Sequence, residues 1–165
     1  MQIQMPVHRL KHALELVEPA VARGKVTLPV LANVLFQTGR VHATNLTLTI
    51  SAELREVQGV AFTLPHSTLT NLLRHIPNAE LATMEYEGGA ATIVVGGNRL
   101  RLHGTDAGEF SPVPHVQGEG ELVDGDRFLR ALLGAMPYTA GPKETARPVL
   151  QAVCVTLGDV ITVAG

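Results

Sequence analysis

The feature that most constrains this chain is an internal repeat with a spacing of 119 residues. The sequence PVLANV at Pro29–Val34 returns as PVLQAV at Pro148–Val153, and no gap is needed to extend the match on either side. At the same offset, Leu10 falls on Leu129 and Leu14 on Leu133, so the shared positions are apolar ones that set structure. The pattern predicts one fold unit used twice.

A finer period of about 60 residues lies inside this repeat. A strand-like run, a Pro or Gly and a helix with the same apolar spacing occur in the segments Ile3–Val17, Phe62–Ile76 and Leu122–Met136. Apolar residues at i, i+3, i+4 and i+7 form one stripe on each helix. These stripes are Leu10, Ala13, Leu14, Val17; Leu69, Leu72, Leu73, Ile76; and Leu129, Leu132, Leu133, Met136. We therefore expect three amphipathic helices, each packed on an apolar surface.

The segments between the helices alternate apolar and polar residues, which is typical of half-buried antiparallel strands. Hairpin turns are predicted at Gly88-Gly89, at Gly96-Gly97-Asn98 and at Thr38-Gly39-Arg40, and the alternation is also seen at Leu46, Leu48 and Ile50. Helices separated by runs of hairpins indicate an α+β fold in which helices cover antiparallel sheets, and not a doubly wound parallel sheet.

The composition favours a soluble intracellular protein, and we expect a cytoplasmic location. The chain is 45% hydrophobic, 17% charged and 4% aromatic, so it is expected to build its core from Leu, Val and Ala. The start of the sequence lacks the apolar region of a signal peptide, and no apolar run approaches the ~18 residues of a spanning helix. The single cysteine, Cys154, lies in a strand-like apolar run and is predicted to be a buried thiol.

The net charge of −2 excludes a generally basic nucleic-acid binder, but the charges are unevenly placed. The second helix presents Ser67, Asn71 and Arg74 opposite its apolar stripe, and the third presents Arg127 with Arg130 beside it. His8, His12 and Glu15 dilute this pattern on the first helix. A weakly basic surface shared by the three helices is one interpretation, and an ordinary solvated helix surface is the alternative. Nine of the 13 Lys and Arg residues lie in the helices or in the connections after helices one and three: Arg9, Lys11, Arg23, Lys25, Arg74, Arg127, Arg130, Lys143 and Arg147.

Enzyme motifs are absent from the sequence. It contains no GxSxG, HExxH, CxxC or P-loop pattern, and the Gly-Gly pairs fall in predicted hairpin turns. His8 and His12 have the i, i+4 spacing of metal ligands, but no third ligand is indicated. We expect neither an enzyme nor a bound metal or cofactor, and a small hydrolase remains the least favoured alternative.

Several short motifs resemble one known family, the bacterial sliding clamp, which is the beta subunit of DNA polymerase III. They are TLPVL at 27–31 followed by Asn33, Thr44-Asn45-Leu46, FTLP at 62–65, DAGEFSP at 106–112 and ETARPVL at 144–150. Their order and spacing extend the resemblance over essentially the whole chain. One departure is Asn45, where the family usually has Asp.

This resemblance implies a clamp domain at residues 1–116 and the N-terminal part of a second clamp domain at 117–165, so we expect a fragment or an incompletely covered longer protein. The family forms a head-to-tail homodimeric ring that encircles double-stranded DNA without reading its sequence and confers processivity on the replicative polymerase. It binds the polymerase and the clamp loader through short peptide motifs and is not an enzyme. A clamp-like interaction module that does not encircle DNA is the alternative.

The resemblance also implies site residues. It places Arg23 and Lys25, in the loop after the first helix, near DNA, together with the equivalent loop near Lys143, whereas Asn71, Arg74, Arg127 and Arg130 are added from helix geometry. Leu150 aligns with a residue of the partner-peptide pocket, although its simpler role is that of a structural strand residue equivalent to Leu31. The subunit interface implies Arg99 and Arg101 on the edge strand 98–104, where alternating cations would also deter nonspecific strand pairing.

Overall fold

A computed structural model describes residues 2–24, 28–59, 61–114, 120, 122–141, 143–144, 146–156 and 162–164. The chain divides into two compact units, Met1–His115 and Val116–Gly165.

Among its described residues, the first unit contains two α-helices and eight strands. In chain order they are β1 Gln2–Pro6, α1 Val7–Val17, β2 Asn33–Gln37, β3 Arg40–Thr44, β4 Thr49–Glu53, β5 Phe62–Pro65, α2 His66–Leu73, β6 Leu81–Glu87, β7 Ala90–Val95 and β8 Asn98–His103. The unit is therefore two successive copies of a strand, a helix and three further strands. This arrangement of helices and antiparallel strands confirms the predicted α+β fold.

The two copies exchange their first strands. One sheet has the order β1-β6-β7-β8 and the other has the order β4-β3-β2-β5, with every pairing antiparallel. Each sheet thus takes three strands from one copy and one strand from the other. Neither copy can complete its sheet alone, so the first unit is expected to fold as one cooperative body.

The predicted hairpin turns are confirmed. Gly88 and Gly89 have φ of 58° and 78°, and Gly96 and Gly97 have φ of 56° and 76°. Positive φ at both central residues is what a two-residue type I′ hairpin requires, and glycine adopts it without a steric penalty. The turn at Thr38-Gly39 joins β2 to β3.

The expectation for Leu46 and Leu48 is wrong. They belong to the turn between β3 and β4 and are 62% and 43% exposed. Asn45 Oδ1 accepts hydrogen bonds from the backbone N–H groups of Thr47 and Leu48 at 3.0 and 2.8 Å, and Leu46 has φ of 72°. The local hydrogen bonds of Asn45 therefore form a turn where the apolar alternation alone predicted a strand.

The helix stripes of the first unit lie on the core as predicted. Leu10, Leu14 and Val17 of α1 are fully buried, and Leu69 and Leu73 of α2 are equally enclosed. The i, i+3, i+4, i+7 spacing therefore identified the correct face of both helices.

Three aromatic side chains form a stack through the centre of this core. Phe36 and Phe62 are a cross-strand pair with ring centroids 4.9 Å apart, and Phe62 stacks on Tyr86 at 4.6 Å. Phe36 and Phe62 belong to one sheet, whereas Tyr86 is on β6 of the other. The stack contains three of the six Phe and Tyr residues of the chain. Half of its few aromatic side chains therefore pack between the two sheets.

A polar contact joins the two sheets where β8 ends. The Thr63 hydroxyl donates to the carbonyl of Thr105 at 2.7 Å and accepts from the Thr105 backbone N–H at 2.9 Å, and the amide of buried Asn33 donates to the Thr105 hydroxyl at 3.1 Å. Gly104 lies so close that a Cβ added to it would stand 1.8 Å from the Thr63 carbonyl oxygen. Only glycine fits at this point.

The second unit repeats the start of the first. It contains α3 Gly125–Ala135, β9 Cys154–Thr156 and β10 Thr162–Ala164, with β9 and β10 antiparallel. The repeated segments PVLANV and PVLQAV both begin in short 3-10 helices, at Pro29–Ala32 and Pro148–Gln151. The repeat is confirmed as a repeat of structure, but its most similar segments are mainly 3-10 helices and not strands, because Pro starts such a turn readily.

Three expectations for the second unit are wrong. Residues 122–124 form no strand before α3, the stripe residues Leu129, Leu133 and Met136 are 54–56% exposed, and Cys154 is exposed. In the first unit the equivalent α1 stripe packs against β3, β4 and α2, whereas the described part of the second unit supplies only the β9–β10 pair. The stripe is therefore amphipathic as predicted but is left without a covering surface.

Candidate functional site

The connection after α1 and the outer face of α2 line one shallow groove of about 430 Å³ in the first unit. Arg23 and Gly24 contribute from the connection, Ser67, Thr70 and Asn71 from α2, and Arg74 from the C-terminal cap of α2. His66 fixes this arrangement, because its buried ring donates from Nε2 to the Leu14 carbonyl of α1 at 3.2 Å. Three of the predicted DNA-binding residues, Arg23, Asn71 and Arg74, therefore lie around a common groove.

Arg23 is held by an exposed ion pair. Its guanidinium donates to Glu18 Oε1 at 2.9 Å, and the two side chains are 75% and 50% exposed. Exposed pairs of this kind contribute about 0–1 kcal/mol and are screened by salt. Arg23 can therefore exchange Glu18 for another anion at little cost. Glu18 was not predicted as the partner of Arg23, although its position five residues earlier brings the acid within reach.

Asn71 in α2 and Arg74 at the C-terminal cap of α2 lie one turn apart, and both are exposed. Neither side chain forms a hydrogen bond or ion pair with any residue that the structure describes. An arginine offers five donors in a planar fork that matches a phosphate, and an asparagine amide can donate to a phosphate oxygen without adding charge. Both side chains are thus free to bind an anionic ligand.

The cations of α1 are occupied in structural contacts. Lys11 Nζ donates to the Ile76 carbonyl at 2.8 Å and to Asn78 Oδ1 at 3.0 Å, beyond the end of α2. Arg9 forms an ion pair with Glu56. These two residues hold α1 against the rest of the unit, so they add little to a ligand-binding surface.

Acidic residues reduce the charge of the same region. Glu15 and Glu18 line a neighbouring groove together with Lys11 and Arg74. The surface is therefore only weakly basic, which agrees with the dilution expected for the first helix. Such a surface attracts a polyanion without holding it firmly.

The remaining DNA-binding candidates do not add to this groove. Lys25 lies outside the described residues. Arg127 and Arg130 are exposed on α3 and Lys143 is exposed in the loop that follows, all within the second unit. A DNA-binding role for these residues therefore stays a prediction.

Arg99 and Arg101 lie on β8, which is an edge strand of its sheet. Both are exposed and alternate with Leu100, which is half-buried, and Leu102, which is buried. The edge position that the resemblance implied is present in the fold.

Leu150 differs in burial from Leu31, its counterpart in the repeat. It is 47% exposed in a 3-10 helix, whereas Leu31 is 7% exposed and packs in a small cluster with Val30, Leu35 and Phe110. The interpretation of Leu150 as a buried structural strand residue is therefore wrong for the described chain. Its exposed side chain is accessible to a partner.

One ionisable pair outside the groove shows a clear electrostatic effect. The Arg55 guanidinium donates a hydrogen bond to Glu53, and this bond and the Arg55 charge lower the pKa of that carboxyl, while the same bond and the Glu53 charge raise the pKa of Arg55. Both groups are fully exposed, so solvent screening makes this pair of little consequence for stability.

Within the described ranges, no cluster of three or more His, Cys, Asp or Glu side chains could hold a metal ion. The helices found there are also too short or too polar to cross a membrane.

Comparisons with known proteins give consistent results. The chain is 31% identical over 143 residues to the beta sliding clamp of Synechococcus elongatus, covering 81% of this chain and 38% of that protein. It therefore spans about two fifths of the length of this curated relative. No protein-family model matches the chain.

Solved structures show the same similarity. The polymerase III beta subunit of Caulobacter crescentus superposes with a TM-score of 0.78 at 27% identity, over 94% of this chain and 44% of that one. A sliding clamp from Bartonella birtlesii, solved bound to griselimycin, superposes with a TM-score of 0.79 at 23% identity, over 99% and 45% of the two chains. The second likeness shows the fold alone.

Proposed function

Because this chain is a homologue of part of the bacterial beta sliding clamp, the beta subunit of DNA polymerase III, we propose that it acts as part of a ring that encircles duplex DNA. The ring is a cytoplasmic homodimer that confers processivity on the replicative polymerase. The homology over 143 residues carries the proposal. The same homology supports a non-catalytic role, since the clamp is not an enzyme.

The groove between Arg23, Asn71 and Arg74 supports this function. A clamp that slides must attract phosphates weakly and without base contacts, because strong or sequence-specific binding would stop it. Arg23 already has an exchangeable anionic partner, and Asn71 with Arg74 presents donors beside it. Retention then comes from encirclement, so a net charge of −2 is compatible with the role.

Partners of the proposed clamp are the polymerase and the clamp loader, which bind through short peptide motifs. Leu150 is the described residue that we assign to the peptide pocket, and its 47% exposure supports this assignment. Lys25, Arg127, Arg130 and Lys143 are proposed as further DNA contacts, and Arg99 and Arg101 as residues of the subunit interface.

A second candidate is a clamp-like interaction module that does not encircle DNA. The ion pair of Arg23 with Glu18 and the nearby Glu15 favour it, because they neutralise part of the charge that DNA would meet.

Removing the free donors of α2 is expected to weaken DNA binding uniformly. In the Asn71→Ala/Arg74→Ala variant, affinity for any duplex falls, and the slope of log affinity against log salt decreases by about 0.9 because one charged phosphate contact is lost. Fluorescence anisotropy with two duplexes of unrelated sequence, measured across a salt series, gives both quantities.

Arg55→Ala is the matched control, because it removes one exposed positive charge from a residue that does not line the groove. If Arg55→Ala lowers affinity and slope as much as the double variant does, net charge alone governs binding and the groove has no specific role. If neither protein changes either quantity, the assignment of Asn71 and Arg74 is wrong.

A further inference from the structure

One acidic side chain lies among the described residues that line the groove of Arg23, Asn71 and Arg74. It is Glu18, which shares this groove with the two arginines. The same side chain also lines the two neighbouring grooves. Apart from the buried ring of His66, the charged groups around the groove are therefore two guanidinium groups and one carboxylate, and the carboxylate cancels half of the positive charge.

The backbone holds Glu18 and Arg23 within reach of each other. The N–H of Val21 donates to the Glu18 carbonyl at 3.0 Å, and the N–H of Ala22 donates to the Leu31 carbonyl at 3.0 Å. Across this anchored turn, the Arg23 guanidinium donates to Glu18 Oε1 at 2.9 Å. The pair forms without ordering a further stretch of backbone, which would cost conformational entropy, so Glu18 occupies Arg23 when no ligand is bound.

A carboxylate and a phosphate compete for the same donors of an arginine. Both present anionic oxygens that accept hydrogen bonds from the planar guanidinium fork. A phosphate can therefore bind Arg23 fully only when Glu18 releases it, and the free energy of the ion pair is subtracted from that of the phosphate contact. Because exposed ion pairs are weak, this competition lowers affinity a few-fold and does not block binding.

We propose that Glu18 is an internal competitor of the DNA backbone at Arg23 and sets how weakly the groove holds a phosphate. This inference rests on the proposed function and adds the residue that determines the strength of its DNA contact. Glu18 leaves Arg23 when a phosphate binds and returns when the phosphate departs, so the contact stays exchangeable. Exchangeable phosphate contacts allow a duplex to move past a protein without being held at one position.

A carboxylate also repels phosphates through space, and this general effect must be separated from competition. Glu15 provides the comparison, because it lines the neighbouring grooves and forms no ion pair with any residue that the structure describes. Repulsion acts on the duplex whichever residue carries the negative charge, whereas competition requires Arg23. Removing Arg23 therefore distinguishes the two effects.

The test is a double-mutant cycle on the whole 165-residue chain, with affinity for a duplex measured by fluorescence anisotropy across a salt series. Glu18→Gln keeps the size of the side chain and is expected to bind the duplex about threefold more tightly than the wild type, with a steeper dependence on salt. In the Arg23→Gln background, the same substitution should give no more than the smaller gain expected for Glu15→Gln. All three substitutions replace exposed side chains, so the fold should be retained.

Equal gains with and without Arg23 would show that Glu18 only repels DNA, and they would overturn the inference. A loss of affinity in Glu18→Gln would overturn it as well, because the acid would then orient Arg23 towards DNA. If none of the proteins binds the duplex, the inference and the DNA contact at this groove both fail. If the cycle shows the expected coupling but the complete protein does not stay on a closed plasmid, the proposed ring fails and the inference stands.

Discussion

The Gly104→Ala protein is expected to lose the cooperative unfolding transition of its first unit at physiological temperature. The added Cβ would stand 1.8 Å from the Thr63 carbonyl oxygen and 2.8 Å from its carbon, both backbone atoms that no side-chain rotation can move. Relief requires β8 to separate from β5, which breaks the hydrogen bonds of Thr63 with Thr105. We expect a cost above ~3 kcal/mol, a large share of the 5–15 kcal/mol that stabilises a typical domain.

Thermal and urea unfolding, followed by far-UV circular dichroism, measure this loss. Gly108→Ala is the control in the same unit, because a Cβ there has its nearest neighbour, Asp106 Oδ1, at an ordinary 3.5 Å. It should change the unfolding free energy by less than ~1 kcal/mol. If the two alanine variants unfold at the same denaturant concentration, the two sheets do not approach each other closely at Gly104.

Phe62→Ala is expected to destabilise the first unit by about 3–5 kcal/mol, which is the range for removing a fully buried phenylalanine. Phe62 is 0% exposed and stacks on Phe36 at 4.9 Å and on Tyr86 at 4.6 Å. Its removal leaves a cavity between the sheets and ends both ring contacts, each worth about 0.5–1.5 kcal/mol beyond the buried area.

Urea unfolding again gives the free-energy change. Phe62→Leu fills part of the cavity and should recover part of the loss, whereas Tyr138→Ala removes an aromatic ring that is 80% exposed and should leave the first transition unchanged. A Phe62→Ala protein as stable as Tyr138→Ala would show that the aromatic stack does not join the sheets.

The helices and hairpins of the first unit could be predicted because their signals are local. The apolar spacing of Leu10, Leu14 and Leu69 selects one helix face, and glycine pairs with positive φ determine the hairpin turns. The exchange of β1 and β5 between the two sheets has no local signal, because any antiparallel partner would satisfy the same alternation.

Burial was predicted correctly only where the covering surface is present. The α3 stripe has the same spacing as that of α1, yet Leu129 and Leu133 are exposed, because burial depends on what packs against a face and not on its pattern. The requirement for glycine at position 104 is also invisible in sequence, since it arises from a strand some 40 residues away in the chain.

The candidate site was predicted in part. The positions of polar and basic residues on the predicted second helix pointed to Asn71 and Arg74, and the resemblance to the sliding clamp pointed to Arg23. The fold brings all three residues to one groove. Charge counting could not predict that Lys11 is bound to the carbonyl of Ile76 or that Arg9 is bound to Glu56. Contacts between distant segments decide which cations remain free for a ligand.

The central claim is that this chain is part of a ring that holds DNA by topology. It is tested most directly by loading the complete gene product onto a nicked circular plasmid with its clamp loader and then cutting the plasmid once. We expect the protein to stay on the closed circle at a salt concentration that abolishes ordinary phosphate binding and to leave within minutes of linearisation. Protein that remains on the linear DNA, or that dissociates from the circle as salt rises, would contradict the claim.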